Sequence, residues 1–366
     1  MAANPRTVQK ATIKRASAIA RRDMDQLDAR ALDDLTEIYQ QAIADLQTQI
    51  RDYAGTDGNL RLETMRELEA QAQQRLNQLS AARDQLLDNN MISAAQLGIQ
   101  PYAGQTAIIG TSLAQVSNEA VQFVRTFVAE DGLQLSDRLW RLDNHAKEIV
   151  ARSIESAVIQ GHSASRAAQD FLARGAPVPV DIASKMNMAR ADGVARVVGT
   201  ELMRPDDGPY ANALRLFRTE INRAHGEAYR TAAAAVPDAI GTRFLLSPNH
   251  PRVDICDMHA AANLYGLGPG VYPFGKSPLP AHPNTLSYEE IVFRDEITDE
   301  DRDGKEDEIS WLKSQNATVQ IGVLGKHKQA ALAAGTLKKN EINTPWRVLK
   351  IKYEKQGTDI AGTEQA

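Results

Sequence analysis

Apolar residues recur every three or four positions through the first half of the chain, the spacing of helices with one buried stripe each. Leu32, Leu35, Tyr39, Ile43, Leu46 and Ile50 form one stripe. Met65, Leu68, Ala72, Leu76, Leu79 and Leu86 form a second, and the breaker Gly55-Thr-Asp-Gly58 separates the two. Residues 23 to 100 therefore predict a helical hairpin. The flanking charges follow no long heptad pattern, which favours a hairpin folded within its own domain. Ser136 suits the N-cap of a helix running through Leu139, Leu142, Ile149, Ile154 and Val158 to Gly161. Ser163 opens a shorter helix that stops at Gly175. Pro177 and Pro179 impose an extended link, and another helix is expected over 182 to 203.

The pattern changes after Pro209. Residues 210 to 235 predict one Ala-rich helix carrying Arg218-Thr219-Glu220 and ended by Val236-Pro237-Asp238. Thr242 to Leu246 and Tyr288 to Arg294 predict strands. The loop between them, Ser247 to Ser287, is dense in Gly and Pro. Loops of that length are usually functional or tied down. Beyond it the expectations are an acidic linker over 295 to 308, helix over 309 to 338, a strand over 346 to 353 and a disordered tail over the last ten residues. The fold class is mainly α: an N-terminal helical hairpin or bundle, then a small α+β domain with a long Gly/Pro-rich loop. Domain boundaries are expected at 1–105, 106–205, 206–296 and 297–366.

Composition narrows the class. Of 366 residues, 43% are apolar and 24% charged, the balance of a soluble globular chain. A single cysteine, Cys256, excludes a disulfide framework and leaves no argument for secretion. No apolar run reaches about 18 residues, so no membrane anchor is expected and the chain is assigned to a reducing cytosol. Charge is unevenly placed. Residues 1 to 22 hold Arg6, Lys10, Lys14, Arg15, Arg21 and Arg22 without an acid, so the remainder carries −11 against a net −5. Such a segment reaches phosphates or an acidic partner, or is the solvated start of a helix. Lys10, Lys14, Arg15, Arg21 and Arg22 are its candidate DNA or partner contacts.

Two motif matches are set aside. Gly270-Val-Tyr-Pro-Phe-Gly-Lys-Ser277 satisfies the phosphate-binding pattern G-x-x-x-x-G-K-[ST]. That site needs a buried strand before it and a helix N-terminus after it. Pro273 removes one loop N–H, and Pro278 and Pro280 oppose the helix. Nucleotide binding is therefore not expected. Asp299-Glu-Asp301-Arg-Asp303-Gly304 matches half a calcium loop, but Ser310 stands where the bidentate Glu belongs.

The remaining constellation lies in Ser247 to Ala260 and Pro278 to Thr285, which hold His250, Asp254, Cys256, His259 and His282. Cys256 and His259 are spaced C-x-x-H, and His282 arrives from the far end of the loop. Thiolate and imidazole suit a structural zinc ion, with Asp254, His250 or water as fourth ligand. A loop held by hydrogen bonds, with Cys256 as a small buried apolar residue, accounts for the same residues.

At these positions the sequence resembles the phage head morphogenesis proteins similar to the minor head protein F of phage Mu. That family places Arg-Thr-Glu on a helix, then a strand, a D-x-x-C-x-x-C-like segment, a variable loop and a P-x-H-P-N-C-x-C-like segment leading into a strand. Here those parts are Arg218-Thr219-Glu220, Thr242 to Leu246, Asp254 to His259, and Pro280-Ala-His282-Pro283-Asn284-Thr285, across about residues 210 to 295. Trp311-Leu-Lys and Val323-Leu-Gly-Lys326 resemble a segment that often follows. His259, Thr285 and Ser287 stand where the family often has Cys, so any family zinc site would survive here only in altered form, and the Cys/His pattern is expected to stabilise the fold with metal optional. The resemblance implies a minor head protein at the portal vertex, inside the virion and in host cytoplasm during assembly. It implies the portal, capsid or scaffolding proteins and packaged DNA as partners, and roles in head morphogenesis and in DNA packaging or ejection. The residues themselves offer no convincing catalytic set, so no enzyme is expected. The competing reading is a metal-dependent HNH-like nuclease built on His282, Asn284, Cys256 and His259, but that site needs a helix where a strand is expected after Asn284. A toxin using this domain for delivery lacks a sizeable further domain after residue 310.

Overall fold

The computed structural model describes residues 5–105, 112–129, 131–187 and 190–355; the tail expected over the last ten residues lies outside them. Helices dominate, with one small antiparallel sheet, as the apolar spacing predicts. The first seven are α1 (Pro5–Asp52), α2 (Met65–Ile99), α3 (Leu113–Thr126), α4 (Leu135–Ala173), α5 (Val180–Met186), α6 (Ala191–Leu202) and α7 (Pro209–Ala234). Strand β1 (Ala239–Leu245), helix α8 (Ile255–Ala261) and strands β2 (Val271–Pro273) and β3 (Tyr288–Phe293) follow. Helices α9 (Asp299–Asp303), α10 (Glu308–Ser314), α11 (Ala317–Ala333) and α12 (Trp346–Lys355) complete the order. Two compact units result, each assembled from separated segments.

The helical unit comprises Gln26–Met91 and Gln122–Ile221. Its stripes are those read from the sequence: Leu35, Tyr39, Ile43, Leu46 and Ile50 on α1, and Leu68, Ala72, Leu76 and Leu79 on α2, are all buried. Gln49 bonds Gln71 and Arg75 lies near Asp45, so the pair is antiparallel, a hairpin as expected. On α2 the stripe continues through Arg83 and Leu87, with Leu86 only half-buried. Arg83 is fully buried, and its guanidinium is matched by Asp84 at 2.6 Å and Asp143 at 2.8 Å.

Two helix boundaries differ from expectation. Helix α4 runs unbroken through Gly161 and Ser163, and starts at a Gln134–Asp137 capping box rather than at Ser136. One interior glycine costs a helix only about 1 kcal/mol, less than the buried face Val150, Ile154, Val158, Ala164 and Ala168 supplies. The helix expected over 182 to 203 is instead α5 and α6. Arg190 between them is extended and bridges Asn59 in the hairpin turn, and Ala191 N–H donates to Gly58 O at 3.1 Å. Main-chain pairing across sequence thus overrides local helix propensity there.

The sheet unit comprises Met1–Asp25, Ile92–Val121 and Asn222–Ala366. Its strand order is β2-β1-β3, with Thr242 opposite Tyr272 on one side and Ile291 on the other. Gly241 is required by close approach: a Cβ there would lie 2.0 Å from Tyr272 O. One face packs on Ile13, Tyr102, Val116 and the Tyr229–Val236 end of α7. The segment 247–287 is less of a loop than its composition suggests, because it contains α8 and β2. The acidic segment 295–308 is not a free linker either. It holds α9, and Asn263 binds it through Asp301 O at 2.6 Å and through the Glu306 N–H at 3.0 Å. The half calcium pattern is part of this helix: Asp301 accepts from Thr298 N–H and Thr298 Oγ1 from Asp301 N–H.

The predicted helix over 309–338 is present as α10 and α11, split at Gln315–Asn316 and kinked at Gly325 (φ 74°). Trp346 to Tyr353, expected as a strand, is helix α12. The segment fits both periods, and burial of Leu349 and Tyr353 one turn apart against Leu337 and Ile342 selects the helix.

Candidate functional site

Helix α8 begins where Asp254 accepts the Cys256 N–H at 2.7 Å and Asp257 returns a bond to the Asp254 N–H at 2.8 Å. This capping box fixes the Asp254 carboxylate and aims Cys256 inward, where it is wholly buried among Phe244, Tyr272 and Leu279. From the other end of the segment comes Pro280 to Thr285. Asn284 adopts φ 67°, a left-handed conformation that Asn tolerates better than most residues. The turn brings Thr285 Oγ1 to 3.5 Å from Cys256 Sγ and His282 Nε2 to 3.2 Å from Asp254 Oδ2. Asp254, Cys256 and His282 present donor atoms within 4.8 Å of one another.

His259, one turn beyond Cys256, does not join them. It is buried against Phe244, and its Nδ1 is hydrogen-bonded to Tyr272 OH at 2.8 Å. Burial pushes its pKa down to about 4, and the Tyr272 phenol up. It is a neutral core histidine that ties α8 to β2. His250 bonds Asp257 at 2.8 Å and its Nε2 lies 4.0 Å from Asp254 Oδ1, so His250, Asp254 and Asp257 form a second group of convergent donor atoms. Burial pushes the Cys256 thiol up to about 11, so without a cation the sulfur keeps its proton.

The other nominated residues divide between the units. In the helical unit, Arg218 pairs with Asp28 at 3.1 Å, Thr219 Oγ1 donates to Arg215 O, and Glu220 is buried. In the sheet unit the basic segment starts α1 and turns onto acids of its own chain. Lys10 meets Asp295 at 2.5 Å, and Lys14 meets Glu296 at 2.6 Å and Glu290 at 3.1 Å. Arg21 donates to Leu286 O and lies over the Tyr288 ring. Arg15 and Arg22 are exposed. Residues 270–277 form β2 and a turn, with no helix after Ser277.

Several residues that hold this site carry no motif. Asn222 donates to Thr285 O and Ser287 O, fixing the second segment to α7. Arg230, Glu289 and Thr242 form a buried network joining α7, β3 and β1. Only an apolar helix face carrying one Arg, opposite a strand whose buried face carries one Glu, could have signalled them. Comparison with protein families, with curated proteins and with solved structures found no match.

Proposed function

We propose that this chain is a phage minor head protein that associates with the portal vertex and acts in head morphogenesis and in DNA packaging or ejection, residues 206–296 being its Mu protein F-like domain. The observation that supports this reading is the meeting of separated segments. Asp254–His259 and Pro280–Ser287 carry the resemblance, and they converge so that Cys256 faces Thr285 and Asp254 faces His282. The reading assigns the converged residues to holding the loop rather than to catalysis. Long helices with exposed Trp140, Ile159 and Leu172 on α4 suit docking onto portal, capsid or scaffolding helices. Arg15 and Arg22, exposed on α1, are the basic residues offered to packaged DNA. Among the described residues no helix is long and apolar enough to cross a membrane.

Quantitative mass spectrometry of purified virions, of emptied particles and of empty proheads tests the proposal. A few copies per particle is the expected result, and loss from emptied virions would assign ejection with the DNA. Absence from virions and proheads alike would overturn it. Divalent-metal-dependent nicking of DNA, lost in His282→Ala, would put a nuclease in its place.

A further inference from the structure

We propose that Asp254, Cys256 and His282 bind one zinc-class divalent cation through three protein donors, with water in the fourth position. His282 supplies the nitrogen donor. Its Nδ1 lies 2.8 Å from Pro283 O, an acceptor only, so Nδ1 donates there and Nε2 is the ring nitrogen left for another partner. That Nε2 is buried and has no hydrogen-bond partner. It lies 3.2 Å from Asp254 Oδ2 without hydrogen-bond geometry, so the ring nitrogen and the carboxylate sit side by side with no bond between them. A cation bound by both would join them. The third donor is the buried Cys256 sulfur, and all three atoms lie within 4.8 Å of one another.

The N–O spacing is close to that of a tetrahedral ion. Zinc bonds of about 2.0–2.1 Å to N and O and about 2.3 Å to S set donor–donor separations of roughly 3.3–3.7 Å. The observed N–O separation of 3.2 Å lies just below that range. A thiolate and an imidazole select zinc or cobalt over magnesium and calcium, which prefer all-oxygen shells. The supporting contacts of a metal site are also present: Pro283 O orients the imidazole, and the Cys256 N–H holds the other Asp254 oxygen at 2.7 Å. His259 and His250 are already engaged by Tyr272 and Asp257, which leaves the fourth position to water. The His282 side chain is 32% exposed, although its Nε2 is buried. Binding would release the Cys256 thiol proton and tie the start of the 247–287 segment to its end. The inference is independent of the head-protein reading, because it is measured on the isolated chain.

The test uses full-length protein without a polyhistidine tag, stripped with chelator and reloaded with Zn2+ or Co2+. Stoichiometric metal by elemental analysis, a thermal midpoint raised by Zn2+ and reversed by chelator, and a thiolate-to-cobalt charge-transfer band are expected. Cys256→Ser should lose the band, and His282→Asn should lose stoichiometric loading. His282 is partly exposed, so its variant keeps the test valid even if Cys256→Ser fails to fold. His250→Ala should load like the parent. Sub-stoichiometric metal with no thermal shift in the parent chain, or loading unchanged in His282→Asn, would overturn the site.

Discussion

The buried ion pair between α7 and the sheet offers the sharpest test of the fold. Arg230 Nη1 donates to Glu289 Oε2 at 2.7 Å, and Nη2 to Glu227 at 2.9 Å. The other Glu289 oxygen accepts from Thr242 Oγ1 at 2.7 Å. The Glu289 side chain is 1% exposed and Arg230 12%, so neither charge can turn to water. Glu289→Leu strands the guanidinium with only the part-exposed Glu227 and deprives Thr242 of its acceptor. Arg230→Met strands the carboxylate. Each single change should cost about 3–5 kcal/mol, the penalty for an uncompensated buried charge. In a unit of this size that lowers the melting midpoint by roughly 6–20 °C. The double variant Arg230→Met/Glu289→Leu removes both charges and fills similar volume, so it should be no worse than either single variant. Urea unfolding of the four proteins, followed by circular dichroism, yields the coupling energy directly. A coupling of about 3 kcal/mol or more is expected. Single effects that add to within about 0.5 kcal/mol would refute the buried pair.

Three further outcomes follow from single residues. His225 is buried, stacks on Tyr229 and has an Nε2 without a hydrogen-bond partner; burial, with the charges of Arg21 and Arg230, pushes its pKa down to about 3. The unfolded chain therefore takes up this proton near pH 6.5 and the folded one does not, so stability is full above 6.5 and falls as pH drops toward 3. About 2 kcal/mol is lost between pH 6.5 and 5; urea midpoints should show a shallower decline for His225→Phe, and equal slopes would sink the assignment. Gly98→Ala would set a Cβ 2.5 Å from His225 O and 3.0 Å from Tyr229 N, and overpacking against backbone should cost about 1–3 kcal/mol in thermal melts. Gly325→Ala meets no atom within 4 Å, so its cost of about 1–2 kcal/mol is conformational, from φ 74°; Gly325→Asn should recover part of it, and Gly98→Asn none.

Local signals were read correctly where a few neighbouring residues decide the outcome. The spacing of Leu35, Tyr39, Ile43 and Leu46 makes a one-faced helix whatever it packs against. The breaker at 55–58 makes a turn, and Val236-Pro237-Asp238 ends α7. The two longer strands were legible for the same reason. So were Asp254, Cys256 and His282 as residues that could meet, because donor types at both ends of one constrained loop narrow the choices.

What only the tertiary structure decided is which partner each residue takes. Arg83 sits on an apolar stripe because Asp84 and Asp143 wait there. His259 left the donor set because Tyr272, from β2, reached it first. The basic start of α1 found acids some 280 residues away. Trp346 to Tyr353 carries both periods, and the apolar surface around Leu337 and Ile342 made the choice. The division into two units cuts across contiguous stretches for the same cause. Helix and turn preferences act over a few residues, whereas burial and charge pairing are settled by residues that only the folded chain brings together.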